Sequence, residues 1–272
     1  MFEIVTTSLG VKSIRNSVVN EIMHNPVGPW IEANQLYIQQ SKLVDALKSD
    51  SAEPYVIFDV GLGAAANALA VLHCVQSMKA HRPIQLVSFE RDLELLKFAL
   101  LNSSEFEHFI GYESAIQTLL DYGTWAAPGV EWTLREGNFV DLIKSEAFKP
   151  HMIFFDPYSP EVNKEMWTLD VFKSLKKISR SEAEGGTLLL TYSRSTPVRV
   201  AMLAAGFIVG VGQATGLKDE TTQAATVRSL LREPLGKRWL ERWRRSHTPY
   251  PIDLPEADQA QLRYTILSHP QF

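Results

Sequence analysis

The chain has 272 residues, 45% hydrophobic and 21% charged, the balance of a globular protein with room for one large α/β domain and an appendage. Its net charge of −4 argues against a broad coating of nucleic acid, and no apolar stretch approaches the roughly 20 residues of a membrane span. The N-terminus, MFEIVTTSLG, lacks the basic region and long apolar core of a signal peptide, and Cys74, the only cysteine, excludes an internal disulfide or a cysteine-built zinc site. These features point to a cytoplasmic protein with no membrane partner; its oligomeric state is not legible.

Residues 1–50 read as an N-terminal extension, in which 30–40 (WIEANQLYIQQ) shows partial alternation of apolar residues. From residue 51, strands alternate with helical patterns. Strands are expected at 55–60 (YVIFDV), 84–90, 130–136, 151–156 and 186–192. Helices are expected at 64–78 (Leu69, Leu72 and Val75 on one face), 92–101, 112–120, 169–178 and 196–205. Two further strand-like runs, 207–213 and 224–230, follow each other with no helix between. Such alternation implies a parallel sheet with helices on both faces, closed here by an antiparallel pair. The pattern resembles the class I methyltransferase fold: α/β, Rossmann-like, doubly wound, with a mostly parallel seven-stranded sheet ending in an antiparallel hairpin. The domain is expected to span 51–230, with 231–272 as a C-terminal tail packed on it. In that tail Trp239 and Trp243 sit at i, i+4, the spacing of a core stripe.

The first of these strands runs into Asp59-Val60-Gly61-Leu62-Gly63, followed by Asn67. Gly61 and Gly63 allow a tight turn and a close ligand, and the helix behind them offers free N–H groups. Asp59 precedes the glycines, placed for a cationic amino-acid end. Glu90 ends the next strand, where a carboxylate can take both hydroxyls of a ribose. Asn138 follows the third strand, with an amide able to accept from adenine N6 and donate to N1, and Phe139 beside it. Together these favour S-adenosylmethionine over a dinucleotide. Each also has a plain structural reading: a turn cap, a strand-end acid, a turn residue.

The segment 152–172 (MIFFDPYSPEVNKEMWTLDVF) carries the chemistry. A short apolar strand delivers Asp156, Pro157, Tyr158 and Pro160 to its carboxyl end, where open α/β sheets bind ligands. A carboxylate there can hold an amine N–H, stabilise positive charge growing on nitrogen and help to dispose of its proton. The prolines stiffen the loop; Tyr158 or Trp167 offers a stacking face for a base. This resembles the acidic-proline-aromatic motifs of enzymes that methylate amines of bases.

Several stretches together resemble the methyltransferase half of the MnmC-type enzymes, which make 5-methylaminomethyl-2-thiouridine at the tRNA wobble position. They are the acid-Gly-x-Gly turn with its Asn (Asp59 and Asn67) and the D-x-x-x-P loop (Asp156 and Pro160) with its N-x-E-M-W block (Asn163, Glu165, Met166 and Trp167). The G-G-T-L strand at 185–188 and the A-A-G-F turn at 204–207 complete the pattern. The resemblance implies N-methylation of the aminomethyl group of uridine 34 in tRNA, with Asp156 on the amine. It implies S-adenosylmethionine held by Asp59, Gly61, Gly63, Asn67, Glu90 and Asn138, and closed over by Met23 and His24. Tyr158, Pro160, Trp167 and Lys218 would face the substrate. The bifunctional enzymes continue into a flavin oxidase, so the expectation is a stand-alone methyltransferase with no FAD and no metal.

The chain departs from the pattern at Ala65, the third glycine of the common turn, and at Asn138, where many methyltransferases have Asp. Its 212–218 loop carries little positive charge, which puts the grip on tRNA rather than the chemistry in question. Seven basic residues between Arg228 and Arg245, against Glu233 and Glu241, could compensate or could be an ordinary solvated face. Three other readings remain: a nicotinamide-dependent oxidoreductase, a non-catalytic S-adenosylmethionine binder, and a methyl- or aminopropyltransferase acting on a small-molecule amine.

Overall fold

The computed structural model describes residues 1–23, 26–78, 82–214 and 219–272. Strands β1 (Phe2–Thr6), β2 (Lys12–Asn16) and β3 (Glu21–Ile22) form a small antiparallel sheet of their own. The main sheet is built from β4 (Tyr55–Val60), β5 (Ile84–Glu90), β6 (Thr124–Ala127), β7 (Val130–Glu136), β8 (Met152–Phe155), β9 (Leu188–Thr191), β10 (Ile208–Gly212) and β11 (Thr221–Ala225). Its order is β10-β11-β9-β8-β4-β5-β7-β6. The pairs β8–β4, β4–β5, β5–β7 and β9–β8 are parallel, while β11 runs antiparallel to both β9 and β10. The terminal antiparallel hairpin therefore stands as expected, with β11 slotted between β9 and β10.

Two expectations for the main sheet need correction. The sheet has eight strands rather than seven, because β6 pairs antiparallel along the outer edge of β7. It is four residues long and only partly covered, too short and too weakly alternating to read from sequence. The strand expected at 224–230 lies at Thr221–Ala225, and Arg228–Leu230 is a 3₁₀ turn. Its residues, TTQAA, look polar, yet all five are buried.

All six residues of β4 and all four of β8 are buried, as a strand covered on both faces requires. Alternation then sorts side chains between two cores. Ile57, Leu86, Trp132 and Phe154 face one side; Phe58, Val87, Phe89 and Phe155 face the other. Each such fully buried side chain contributes roughly 1.5–3 kcal/mol.

The helices are α1 (Pro29–Glu32), α2 (Leu43–Leu47), α3 (Ala66–Met78), α4 (Glu94–Leu101), α5 (Glu113–Tyr122), α6 (Phe139–Leu142), α7 (Leu169–Ile178), α8 (Thr196–Ala204), α9 (Lys237–Arg244) and α10 (Gln259–Leu267). Helices α3, α4 and α5 cover the first face and α6 to α10 the second. Residues 30–40 are helical, not alternating: α1 runs into a π-helical segment, Ala33–Gln39, that buries Ala33, Leu36, Tyr37 and Ile38 against α3. Covered by the sheet below and this segment above, α3 is buried nearly all round rather than on one face. In the tail, Trp239 and Trp243 are both buried; Trp239 stacks on Phe272, and the Trp243 indole donates to Pro249 O at 2.7 Å. Among the described residues no helix is long and apolar enough to cross a membrane.

Candidate active site

A cavity of about 230 Å³ opens at the carboxyl ends of β4, β5, β7 and β8. Its wall includes Gly61, Gly63, Glu90, Asn138, Phe139, Asp156, Tyr158 and Met23. A larger groove, about 870 Å³, runs elsewhere past Tyr55, Arg82, His151 and Arg180, where Arg82 and Arg180 both pair with Glu53. The first cavity is where the candidate groups converge.

Two loops meet at its floor. A Cβ on Gly61 would lie 2.8 Å from Asp156 O and 3.1 Å from Pro157 Cα, and Gly61 has φ +90°. The glycine lets the 156–157 backbone press against the turn, so the close approach at Gly61 is made by this chain's own backbone. Gly63 has φ +54°, and a Cβ there would make ordinary contacts with Met23 Cε at 3.6 Å, Leu95 Cδ2 at 3.8 Å and Gly61 O at 4.0 Å; its bare backbone lines the cavity. Ala65 takes φ +59° without being a glycine.

Asp156 stands where β8 ends, its N–H donating to Val60 O at 2.9 Å. Asn67 Nδ2 donates to Asp156 Oδ2 at 2.8 Å. Asn67, expected on the cofactor, is 7% exposed and not on the cavity wall; it holds the acid instead. Asp59 also sits below the wall. It is wholly buried and accepts from Ser88 Oγ at 2.8 Å, and Ser88 Oγ accepts from Trp132 Nε1 at 2.9 Å. Its second oxygen, Oδ1, has no partner among the described residues. Burial pushes the Asp59 carboxyl up to about 8; the Ser88 hydroxyl pulls it down, and the charges of Asp156 and Glu90 push it further up. Asp59, expected to face a cationic amino-acid end, thus lies under the cavity floor rather than on its wall.

Glu90 lines the cavity as expected. Its carboxylate accepts from Gly63 N at 3.0 Å, Arg91 N at 2.7 Å and Asp92 N at 3.1 Å. Burial raises its pKa and those backbone donors lower it. Asn138 is exposed on the wall, but its Oδ1 accepts from Val140 N at 2.9 Å and caps α6, so its Nδ2 is the part left to meet a ring. Phe139 stands edge-on to Phe89, 5.1 Å between ring centres.

The block after Asp156 is largely cavity wall: Asn163, Glu165 and Met166 all line it, and Arg91 bridges to Glu165 at 2.7 Å. Trp167 does not. It is fully buried, its indole donating to Tyr158 O at 2.8 Å, so the expectation of a stacking platform is corrected: no face is free. Tyr158 does line the cavity, half-buried. Pro160 is half-buried and away from the wall. His24 and Lys218 lie outside the described residues.

Sequence reasoning missed how the N-terminal sheet roofs the cavity. Phe2, Asn16 and Val19 line it. Asn16 Nδ2 donates to the Tyr158 hydroxyl at 3.1 Å, and Ser159 Oγ donates to Glu21 Oε2 at 3.3 Å. These pairs are more than 130 residues apart, and nothing in local spacing announces them. Met23 had been foreseen here.

The residues suit S-adenosylmethionine. Bare backbone at Gly63, a carboxylate at the β5 end, an amide donor at Asn138 and apolar faces from Leu95, Phe89 and Phe139 match an amino-acid end, a ribose and an adenine. Among the described residues no group of three or more His, Cys, Asp or Glu could hold a metal.

The fold and the cavity fit the binding of S-adenosylmethionine, and residues 124–227 match a family model described as S-adenosyl-L-methionine-dependent methyltransferase. More particularly, the chain is 24% identical over 216 residues to the tRNA 5-methylaminomethyl-2-thiouridine biosynthesis bifunctional protein MnmC of Campylobacter concisus, a match that covers 77% of this chain and 33% of that protein. It is 24% identical over 226 residues to an uncharacterised protein of Methanocaldococcus jannaschii, covering 81% of this chain and 58% of that one. The chain thus spans about a third of the bifunctional relative's length. The crystal structure of MnmC2 from Aquifex aeolicus superposes with a TM-score of 0.76 at 23% identity, over all of this chain and 85% of that one, and has the same fold.

Proposed function

We propose that the chain transfers a methyl group from S-adenosylmethionine to the 5-aminomethyl nitrogen of wobble uridine 34 in tRNA, in a cytoplasmic setting. One observation carries the reading: Asp156, held by Asn67, shares a single cavity with Gly63, Glu90 and Asn138 at the sheet's carboxyl edge. The named activity of the MnmC relatives supplies the substrate. We read residues 51–230 as the catalytic domain, 1–50 as its roof and 231–272 as a packed tail.

Glu90 and Asn138 would hold the ribose and adenine, and the Gly63 backbone the amino-acid end. The cofactor supplies an electrophilic methyl carbon. An alkylamine is mostly protonated at neutral pH and must present a free lone pair. Asp156 would accept the amine N–H, aim the lone pair and stabilise the charge that grows on nitrogen as the methyl carbon passes from sulfur to nitrogen, the broken C–S bond's electrons staying on the departing thioether. The proton then leaves through Asp156 to water. Tyr158 is the aromatic face available to the base.

Labelled S-adenosylmethionine and tRNA bearing unmethylated aminomethyluridine test the reading. The wild-type protein should transfer label. Asp156→Ala should lower kcat by about 10²–10³-fold while keeping affinity for S-adenosylhomocysteine. Wild-type turnover by the variant would remove Asp156 from the chemistry, and a folded protein that binds NAD but not S-adenosylhomocysteine would end the whole reading.

A further inference from the structure

Tyr37 is fully buried, and its hydroxyl makes no hydrogen bond of good geometry among the described residues, although it lies close enough to the Asp156 carboxylate for a weak side-chain hydrogen bond to add to the shift of its pKa. A donor so poorly satisfied in a core destabilises the fold, whereas phenylalanine would fill the same space without that cost. The ring packs 4.8 Å from the ring of Phe154 on β8. Phe154 and Asp156 are two residues apart along that strand, so they share a face, and Tyr37 overlies the same side as the carboxylate. From the neighbouring α3, Asn67 already donates to Asp156 Oδ2.

The charged and titratable groups that act on Tyr37 are Asp156 first, then Glu32 on α1, with Tyr192 beyond β9. Burial, then those carboxylates, keep the phenol well above its usual range, so it remains a donor at any working pH. Hydrogen bonds at catalytic centres are often loose until the site is filled.

We propose that Tyr37 is a positioning residue: in the cofactor-filled site its hydroxyl donates to Asp156 beside Asn67, locking the carboxylate as an acceptor for the substrate amine. Two donors on one carboxylate fix its rotation and favour its ionised form. The amine then meets an acceptor that is already aimed. The inference rests on the function proposed above.

The test is Tyr37→Phe, which removes one oxygen and keeps the ring. In protein saturated with S-adenosylhomocysteine and labelled with carboxyl-¹³C aspartate, the Asp156 signal, assigned with Asp156→Asn, should titrate about one pH unit higher in the variant. With labelled cofactor and aminomethyluridine tRNA, kcat should fall about tenfold, KM should hardly change, and the acidic limb of the kcat profile should move up in parallel. A purely packing role leaves the titration and the limb where they are, and that result overturns the proposal. If the wild type transfers no methyl group to this tRNA, the assigned function fails, and the carboxyl titration still decides the role of Tyr37. If Tyr37→Phe does not fold, 3-fluorotyrosine at position 37 keeps the shape and strengthens the donor; the Asp156 midpoint should then drop, and an unmoved midpoint again refutes the inference.

Discussion

Gly61 and Ala65 sit four residues apart with positive φ, and they carry different constraints. At Gly61 a methyl group would strike the Asp156 carbonyl, its carbon and Pro157 Cα, all backbone within 3.1 Å. Gly61→Ala adds left-handed strain to that clash. It should cost about 2–4 kcal/mol, read as a lower urea midpoint, and displace Asp156 enough to cut turnover sharply. Ala65 already bears such strain, which glycine would relieve at the expense of a more flexible unfolded chain. Ala65→Gly should therefore change stability by less than about 1 kcal/mol. Equal losses in the two variants would show that neither close approach nor backbone strain governs the turn.

At the scale of elements, α9 separates its faces cleanly. Trp239, Leu240 and Trp243 are buried, while Lys237, Arg238, Arg242 and Arg244 are exposed. Arg242 and Arg194 both raise the positive potential around the buried Arg199, which is tied to Glu220 and Thr222. That places α9's basic face beside the loop that follows β9. Reversing Arg238 and Arg242 to Glu should weaken tRNA binding and flatten the slope of log affinity against log salt by about one to two units. An unchanged slope would make the patch ordinary surface. The buried half of α9 was legible from its i, i+4 tryptophans, as β4, β5, β7 and α7 were from apolar runs bounded by turns. The helix at 29–39 was not, although Ala33, Leu36 and Tyr37 fall at i, i+3 and i+4, because Glu32, Asn34 and Gln35 interrupt the apolar pattern and mimic alternation. Glu90 and Asp156 were legible because each ends an apolar strand at the ligand-binding edge. The roof at Asn16, the orienting bond from Asn67 and the burial of Trp167 depend on contacts between distant segments, which no local pattern encodes.

At the scale of the whole molecule, buried titrating groups shape stability against pH. Asp59 is raised from 3.8 to about 8 by burial, so the folded state keeps a proton that the unfolded chain releases. Its contribution is complete below 3.8 and is lost as pH climbs toward 8. Glu90, also raised by burial, works in the same direction from 4.5 upward. His108 and His151 are lowered by burial from 6.5 to about 4, so the unfolded chain takes protons that the folded state refuses. Their contribution is complete above 6.5 and is lost as pH falls toward 4. From about 4.5 to 6.5 the acids and histidines oppose one another, and the urea midpoint should be nearly level. Above about 7.5 the histidines of the unfolded chain have also lost their protons and the raised acids act unopposed, so stability should fall by about 1 kcal/mol between pH 6.5 and 8. Asp59→Asn keeps the shape and the Ser88 bond but has no proton to lose, and its midpoint should stay level over that upper range. A wild-type midpoint that holds or rises from pH 6.5 to 8 would mean that Asp59 is ionised in the fold, compensated by a partner at Oδ1, and the floor of the cavity would then be anionic rather than neutral.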